Sequence, residues 1–330
     1  MSRSDSKIRV GLLGAASIAI AALIEPARRH DDVELVAVAA RDLGKAQEYA
    51  RKHGFAEAME GYEALINRDD IDLIYNALIP SRHMDLSCKA LEAGKHVLVE
   101  KPFALNVAET DKMLETGAKS GRFLIEAFHD HYHPVLQEVM RLVQGGSVGT
   151  VRSFRAQFDV AIPFEASPFR HTKEMGGGAL MDLGCYPVHW ATTLLEGTPE
   201  VLEASATLTP TGVDESLSAK VRFGDVVAEL GCNMAEEVEQ RAFLELVGDK
   251  GRIYVDNPIL PHNGHYIETE IDGIYRRYTM GAGTTYDHQL EAVLNAIRTG
   301  TPAATGGNAP RIIMQVVQEM YEAAGMDRSF

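Results

Sequence analysis

Positive charge is scarce in this chain. The 32 lysines and arginines are outnumbered by 47 aspartates and glutamates, which leaves a formal net charge of −15 over 330 residues. Nucleic acids and anionic membrane surfaces are themselves negative and would repel such a protein. The composition therefore argues against a nucleic acid or a membrane as the main partner.

Cysteines and long apolar runs are also few. Cys88, Cys185 and Cys232 are too few and too scattered for a disulfide framework or a four-cysteine zinc site, which fits a reducing compartment. The sequence has no spanning run of about 18 apolar residues. The short polar stretch Met1–Lys7 does not resemble a signal peptide. We therefore expect a cytoplasmic protein.

Apolar residues make up 45% of the chain, enough for the cores of two domains. The first part alternates short apolar runs with amphipathic segments, a pattern typical of a parallel doubly wound sheet. Its five predicted strands are Ile8–Leu13, Glu34–Ala40, Ile71–Leu78, His96–Glu100 and Phe123–Ala127. Later strands alternate polar and apolar residues and are joined by short turns, which favours a large, mostly antiparallel open sheet. The sequence predicts an α/β protein with a Rossmann domain at 1–126 and an α+β domain at 127–330.

The first strand runs into the segment Gly14–Ala19, at the place of the phosphate-binding turn of a Rossmann fold. Only the first of the three usual glycines is present, and the small residues Ala16 and Ala19 stand at the other two positions. An ordinary tight turn is the alternative interpretation. The residues of this turn predicted to contact a dinucleotide are Gly14, Ala16, Ser17 and Ile18.

The end of the second strand bears on the choice of dinucleotide. An acid there binds the ribose hydroxyls of NAD, whereas an arginine accommodates the 2′-phosphate of NADP. Arg41 follows the strand directly, and Asp42 is placed to cap the helix Leu43–His53. This favours NADP, with NAD possible, and a merely solvated Arg41 is the alternative.

The fourth strand ends in Glu100, Lys101 and Pro102. In open α/β sheets, ligands bind beyond the carboxyl ends of the strands, so we expect Lys101 to face a ligand cleft. An exposed strand-end pair is the alternative interpretation.

A second polar cluster lies between Gly176 and Trp190. If a helix follows the glycines, Asp182, Tyr186 and His189 occupy positions i, i+4 and i+7 on one face. Burying three polar groups is costly unless they are paired or used, and a hydrogen-bonded core trio is the alternative. Cys185 has no paired base in evidence and is interpreted as packing.

Four segments together resemble the Gfo/Idh/MocA family of oxidoreductases over essentially the whole chain: Gly11–Ala19, Val99–Pro102, Glu126–Phe128 and Gly176–Tyr186. The tyrosine at position 186 is similar to the branch of glucose-fructose oxidoreductase, dimeric dihydrodiol dehydrogenase and NADP-dependent xylose dehydrogenase. The resemblance implies an NADP(H)-dependent enzyme that moves hydride between nicotinamide and a secondary alcohol or carbonyl of a sugar, cyclitol or dihydrodiol. A redox glycosidase with tightly held NAD and a non-catalytic dinucleotide-binding sensor are the alternatives.

The resemblance also implies roles for single residues. Lys101 would lie by the nicotinamide, Tyr186 would be the acid/base, and Asp182 would orient the lysine or bind a substrate hydroxyl. A free phenol with a pKa of about 10 is a poor base, but an adjacent ammonium favours the phenolate. The implied cofactor contacts beyond the turn are Arg41, His83, Glu100, Lys101 and Arg170, and the implied substrate contacts are Lys101, Asp182, Tyr186 and His189. His83 ends a segment, Ile79–His83, that departs from the usual family pattern.

The segment His129–His133 carries a histidine at every second position. In a strand, these side chains would share one face and could bind a transition metal. Since the chemistry of the family needs no metal, we predict none. The resemblance and the exposed face of the second sheet predict a homodimer or homotetramer, and the loop Ala161–Glu174 is expected to set specificity for a sugar or polyol.

Overall fold

The structure, a computed structural model, describes residues 7–164 and 168–327. Residues 165–167 of the predicted specificity loop and residues 1–6 of the N-terminal stretch lie outside this range. The chain forms two compact units. The first contains everything up to His129 together with Tyr286–Arg311, and the second contains Asp130–Thr285 together with the chain from Ile312 onwards.

A six-stranded parallel sheet forms the centre of the first unit, with strand order β3-β2-β1-β4-β5-β6. The strands are β1 (Ile8–Leu13), β2 (Val33–Ala40), β3 (Glu57–Glu60), β4 (Leu73–Asn76), β5 (His96–Val99) and β6 (Leu124–Glu126). The direction of winding reverses between β1 and β4, which is where open sheets of this kind bind ligands. The predicted doubly wound parallel sheet is confirmed.

The prediction of five strands in this sheet was wrong, because β3 was missed. β3 is a four-residue edge strand with a glutamate at each end, and both of these glutamates are exposed. An edge strand needs little apolar sequence because solvent covers part of it. Its pattern therefore does not stand out from the surrounding turns.

Nine α-helices accompany the strands in the described residues: α1 (Glu25–Arg28), α2 (Leu43–His53), α3 (Tyr62–Ile66), α4 (His83–Glu92), α5 (Val107–Ser120), α6 (Pro134–Gln144), α7 (Cys185–Leu194), α8 (Thr285–Thr299) and α9 (Ala309–Ala323). The π-helical turns Ile20–Ile24 and Leu180–Gly184 lead directly into α1 and α7. Within residues 7–164 and 168–327, no helix is both long and apolar enough to cross a bilayer.

The helix cap predicted at Asp42 is confirmed, and other helix ends are capped in the usual ways. The carboxylate of Asp42 accepts a hydrogen bond from the N–H of Lys45 at 2.7 Å, and the side chain of Asn106 accepts one from the N–H of Glu109 at 2.9 Å. Gly54 ends α2 with φ 86° and Gly121 ends α5 with φ 64°. These positive φ angles are those that glycine adopts without strain.

An eight-stranded sheet, of order β14-β13-β12-β11-β7-β10-β9-β8, forms the second unit. Its strands are β7 (Val151–Asp159), β8 (Pro199–Leu208), β9 (Asp214–Phe223), β10 (Val226–Asn233), β11 (Arg241–Gly248), β12 (Gly251–Asp256), β13 (Tyr266–Ile271) and β14 (Ile274–Tyr278). Only β7 and β10 pair in parallel, so the predicted, mostly antiparallel sheet is confirmed. α7 packs against β7 and β10.

Candidate active site

The turn after β1 has the local geometry of a phosphate-binding turn. Gly14 has φ 98°, a backbone conformation that a larger residue adopts only with strain, and a Cβ there would also lie 2.8 Å from Leu78 Cδ2 and displace that side chain. Ser17 and Ile18 are exposed, and the carbonyl of Ala16 is held by the hydroxyl of Tyr49 at 2.8 Å. Backbone N–H groups at such a turn are the usual donors to a pyrophosphate.

Arg41 and Asp42 differ in what they contact. The Asp42 carboxylate caps α2, as expected for a residue at this position. The Arg41 side chain is exposed, and no acidic side chain among the described residues pairs with it. A cation therefore remains available beside the end of β2, whereas the acid does not.

The Glu100 and Lys101 pair at the end of β5 is partly built into the core. Glu100 is buried, and its Oε1 accepts a hydrogen bond from the hydroxyl of Tyr75. Burial, reinforced by the Glu100 carboxylate, raises the pKa of Tyr75 well above its ordinary value. Lys101 is half-buried and is joined to Pro102 by a cis peptide bond. Glu100 and Lys101 are therefore not an exposed pair of charges at the end of the strand.

His83 braces the segment that follows Lys101. The ring is fully buried, with Nδ1 2.9 Å from the carbonyl oxygen of Pro102 and Nε2 2.9 Å from that of Leu78. Burial lowers the pKa of His83, and the two carbonyls act in the opposite direction. Both nitrogens are thus engaged by backbone, and the ring holds two strand-end loops together. Its predicted contact with a cofactor stays a prediction.

Glu126 is a buried acid that sequence reasoning assigned only to a motif. It ends β6, opposite Val99 of β5, and is 1% exposed. Burial, with the neighbouring Glu100, raises the pKa of Glu126 well above its ordinary value, against the pull of Lys101. The carboxyl therefore keeps its proton to a higher pH than an exposed glutamate does.

In the second unit, the three consecutive glycines Gly176–Gly178 allow two backbone segments to come close together. A Cβ on Gly177 would lie 2.5 Å from the carbonyl oxygen of Arg170, and one on Gly178 would overlap the carboxylate of Asp214. The N–H of Gly178 donates to the carbonyl of Arg170 at 2.9 Å. The glycines thus allow the turn that carries Arg170 to approach the start of the helix.

Asp214 anchors that start. Its Oδ2 accepts a hydrogen bond from the N–H of Leu180 at 2.6 Å, and its Oδ1 accepts one from the hydroxyl of Tyr321 at 2.9 Å. Asp214 is 0% exposed. A carboxylate at the first turn of a helix satisfies an N–H that lacks a partner within the helix.

The predicted helix after the glycines is present, but its first turn, Leu180–Gly184, is π-helical rather than α-helical. Wide turns of this kind are frequent at functional sites. On this turn, Asp182 Oδ2 accepts a hydrogen bond from Nε of Arg170 at 2.5 Å, which makes an ion pair. Asp182 and Arg170, predicted separately, therefore lie together.

Tyr186 stands in an aromatic setting. The residue is 4% exposed; its ring centroid lies 5.6 Å from that of Phe158 in an edge arrangement and 6.3 Å from that of Trp190. On the same helix, His189 Nε2 lies 3.3 Å from Nδ1 of His131. The phenol is thus held by neighbours on a strand and on its own helix.

The histidines of 129–133 do not lie on a strand, so the alternative of a shared strand face does not apply. His129–Tyr132 is a 3₁₀ turn, so its side chains point in different directions. His129 packs on Tyr286, His131 lies next to His189, and the His133 Nδ1 accepts from the N–H of Val135 at the start of α6. Within the described part of the chain, no three metal-ligating side chains come together.

Comparison with known proteins identifies the family. The model of the oxidoreductase family with an NAD-binding Rossmann fold matches residues 8–128, and the model of the GFO/IDH/MocA C-terminal domain matches residues 136–254. The chain belongs to the GFO/IDH/MocA oxidoreductase family. The resemblance drawn from the sequence is confirmed, and the protein is an NAD(P)-dependent oxidoreductase.

Named relatives within the GFO/IDH/MocA family cover nearly the whole chain. A dTDP-3,4-didehydro-2,6-dideoxy-α-D-glucose 3-reductase of Saccharopolyspora spinosa is 34% identical over 329 residues, 97% of each chain. A trans-1,2-dihydrobenzene-1,2-diol dehydrogenase of Xenopus tropicalis is 34% identical over 276 residues, 82% of each chain. The crystal structure of KijD10, a 3-ketoreductase from Actinomadura kijaniata in complex with NADP and TDP-benzene, has a TM-score of 0.88 at 25% identity and covers 96% of this chain and 98% of its own.

The first unit fits the dinucleotide of the GFO/IDH/MocA family. Gly14 gives the turn its close backbone approach, Ser17 and Ile18 leave its outer side exposed, and Arg41 supplies a cation at the end of β2. Sequence reasoning assigned no role to three residues that form buried contacts in the second unit: Asp130, Trp190 and Asp214. Their roles come from contacts between distant segments, which leave no signal in a local pattern.

Proposed function

We propose that the protein is an NADP(H)-dependent oxidoreductase that acts on a secondary alcohol or carbonyl of a sugar, cyclitol or dihydrodiol. The observation that carries this proposal is Tyr186, a phenol packed between aromatic rings and preceded by the ion pair of Arg170 and Asp182. Alcohol oxidation requires a base for the hydroxyl proton, and the reverse reaction requires an acid for the alkoxide.

The preference for NADP rests on the contrast between Arg41 and Asp42. The Asp42 carboxylate is occupied as a helix cap, which makes it a poor partner for the ribose hydroxyls of NAD. Arg41 is exposed beside the same strand end, and a guanidinium pairs well with a phosphate. We therefore assign Arg41 to the 2′-phosphate.

In the proposed reaction, the dinucleotide supplies or accepts the hydride when bound. Tyr186 takes or gives the hydroxyl proton, and Lys101 holds the substrate oxygen. Asp182, oriented by Arg170, binds a second hydroxyl of the substrate. His189 would contact the substrate, and its own ring is held by the contact with His131.

The proposed substrate class rests on what two kinds of relative act on. A keto sugar carried on dTDP and a dihydrodiol share a ring carbon bearing a secondary hydroxyl or ketone next to a second ring substituent. We propose that the protein takes a substrate of this form. A free sugar, a nucleotide-linked sugar and a dihydrodiol are the three compounds to compare.

We also propose that the protein is a cytoplasmic homodimer or homotetramer joined through the open face of the eight-stranded sheet. That face carries cross-strand ion pairs, Lys220 with Glu203 at 2.8 Å and Arg155 with Glu229 at 3.3 Å, and the exposed side chain of Val227. Light scattering of the wild type and of Val227→Glu tests the interface, since the charge would dissociate the copies.

The cysteines support the cytoplasmic part of the proposal. All three are free and buried, as expected in a reducing compartment.

The test of the proposed function is a pair of measurements on the purified protein. Titration with NADPH and NADH, followed by nucleotide fluorescence, should give tighter binding of NADPH. A screen at 340 nm against aldoses, cyclitols, dihydrodiols and nucleotide-linked keto sugars should then give net turnover with one class. Tight dinucleotide binding without net turnover on any compound would contradict the proposal and favour a redox glycosidase or a sensor.

A further inference from the structure

Asp130 and Trp190 form a buried contact that the proposed reaction does not use. The two residues are 60 positions apart in the sequence, and the indole Nε1–H of Trp190 donates to Oδ2 of Asp130 at 2.6 Å. Both residues are 0% exposed. The other carboxyl oxygen, Oδ1, has no hydrogen-bond partner within the described residues. A group this costly to bury requires an explanation beyond packing.

The indole of Trp190 also contacts Tyr186. Trp190 lies four positions after Tyr186, on the next turn of α7, and the two rings are tilted by 45° with centroids 6.3 Å apart. On β7, the ring of Phe158 packs edge to face against the ring of Tyr186, with the two centroids 5.6 Å apart. One aromatic neighbour of the phenol is therefore fixed by Asp130.

We propose that Asp130 is a positioning residue for Tyr186: its carboxyl fixes the indole of Trp190, and the indole fixes the phenol ring. The inference rests on the proposed acid/base role of Tyr186. A neutral carboxyl can accept from the indole without placing a charge in the core. Ionisation places a negative charge on the carboxylate of Asp130. The indole of Trp190 and the phenol of Tyr186 then shift their positions in response to that charge.

The proton on Asp130 is exchangeable near neutral pH. Burial raises the pKa of Asp130 to about 7, against the hydrogen bond from Trp190 and those from the backbone. Among the ionisable side chains, His131 follows Asp130 on the same turn, Tyr186 contacts Trp190, and His189 contacts His131. Burial lowers the pKa of His131 to about 4, well away from that of Asp130.

Charged groups on the elements that pack against α7 have partners of their own. On α6, Glu138 pairs with Arg141 at 2.7 Å, and at the end of β7, Asp159 pairs with Arg241 at 3.1 Å. The pKa of Asp130 shows no contribution from a cationic side chain of the described chain. The state of this carboxyl is therefore set by burial, by the indole and by the neighbouring backbone.

Trp190 is the only tryptophan of the chain, so its fluorescence reports on this contact directly. The emission of the full-length wild type is recorded between pH 5.5 and 8.5. We expect one transition with a midpoint near pH 7, its loss in Asp130→Asn, and its persistence in the control His131→Asn. A wild type without a transition, or an unchanged transition in Asp130→Asn, overturns the inference.

Kinetics test the link to Tyr186. The pH profile of kcat should contain a step near pH 7 that Asp130→Asn removes, and Trp190→Phe should lower kcat about tenfold with the Kd for NADPH unchanged. A merely structural role would not move the shape of the profile. Full turnover in Tyr186→Phe overturns the proposed acid/base role of Tyr186 and this inference together, but leaves the oxidoreductase activity standing. An inactive Tyr186→Phe combined with an unchanged Asp130→Asn profile overturns this inference alone.

Discussion

Replacing Asp214 by alanine should destabilise the second unit more than any single surface change. The substitution leaves two buried donors, the N–H of Leu180 and the hydroxyl of Tyr321, without the carboxylate that accepts from them at 2.6 and 2.9 Å. Hydrogen bonds to charged groups contribute about 1.5–3 kcal/mol each. The free energy of unfolding should therefore fall by roughly 3–6 kcal/mol.

Two further variants separate the contributions. Tyr321→Phe removes one of the two bonds and should cost roughly 1–3 kcal/mol. Asp214→Asn keeps a single acceptor oxygen and should fall between Asp214→Ala and the wild type. In the double variant Asp214→Ala/Tyr321→Phe, the losses should be less than additive because the two side chains share one bond.

Urea unfolding followed by Trp190 emission measures these losses, since Trp190 lies on the helix that continues from Leu180. The reasoning is refuted if Asp214→Ala costs under about 1 kcal/mol, the scale of an ordinary surface substitution. It is also refuted if Asp214→Ala costs no more than Tyr321→Phe.

Three further predictions concern the cofactor, the glycine run and pH. Arg41→Ala should weaken NADPH binding by about 10- to 100-fold and leave NADH binding nearly unchanged, with the exposed Arg51→Ala as control; equal losses for both nucleotides would contradict the assignment. Gly178→Ala should destabilise the protein more than Gly212→Ala, because both positions have positive φ but only Gly178 faces a neighbouring side chain, and equal melting temperatures would count against this. Because burial raises the pKa of Asp130 from 3.8 to about 7, the folded state keeps a proton that the unfolded chain releases. Asp130 should then lower the free energy of unfolding by about 1.4 kcal/mol per pH unit from pH 4 to 7, and this effect should level off above, so in urea titrations the difference between the wild type and Asp130→Asn should change with that slope.

Features set by neighbouring residues could be predicted from the sequence. The caps Asp42 and Asn106 each bond to an N–H three positions along the chain, so the pattern alone reveals them. The short apolar runs likewise located the buried parallel strands, while the exposed edge strand Glu57–Glu60 left no such signal.

Features that depend on distant contacts could not be predicted. Asp214 bonds to Leu180 across 34 positions, and Asp130 bonds to Trp190 across 60. No local periodicity encodes such pairs. The 3₁₀ turn at His129–Tyr132 was also missed, because a histidine at every second position is equally compatible with a strand.

The central claim is that Lys101 and Tyr186 carry out the proton chemistry of an NADP(H)-dependent reaction. The direct measurement is kcat for Lys101→Ala, Tyr186→Phe and the double variant on the substrate found in the screen, alongside the Kd for NADPH. Residues that act as a unit are not additive, so each single variant should lose about a thousandfold or more in kcat and the double variant little beyond that. The Kd for NADPH should change less than threefold. A Tyr186→Phe variant with near wild-type kcat would contradict the account.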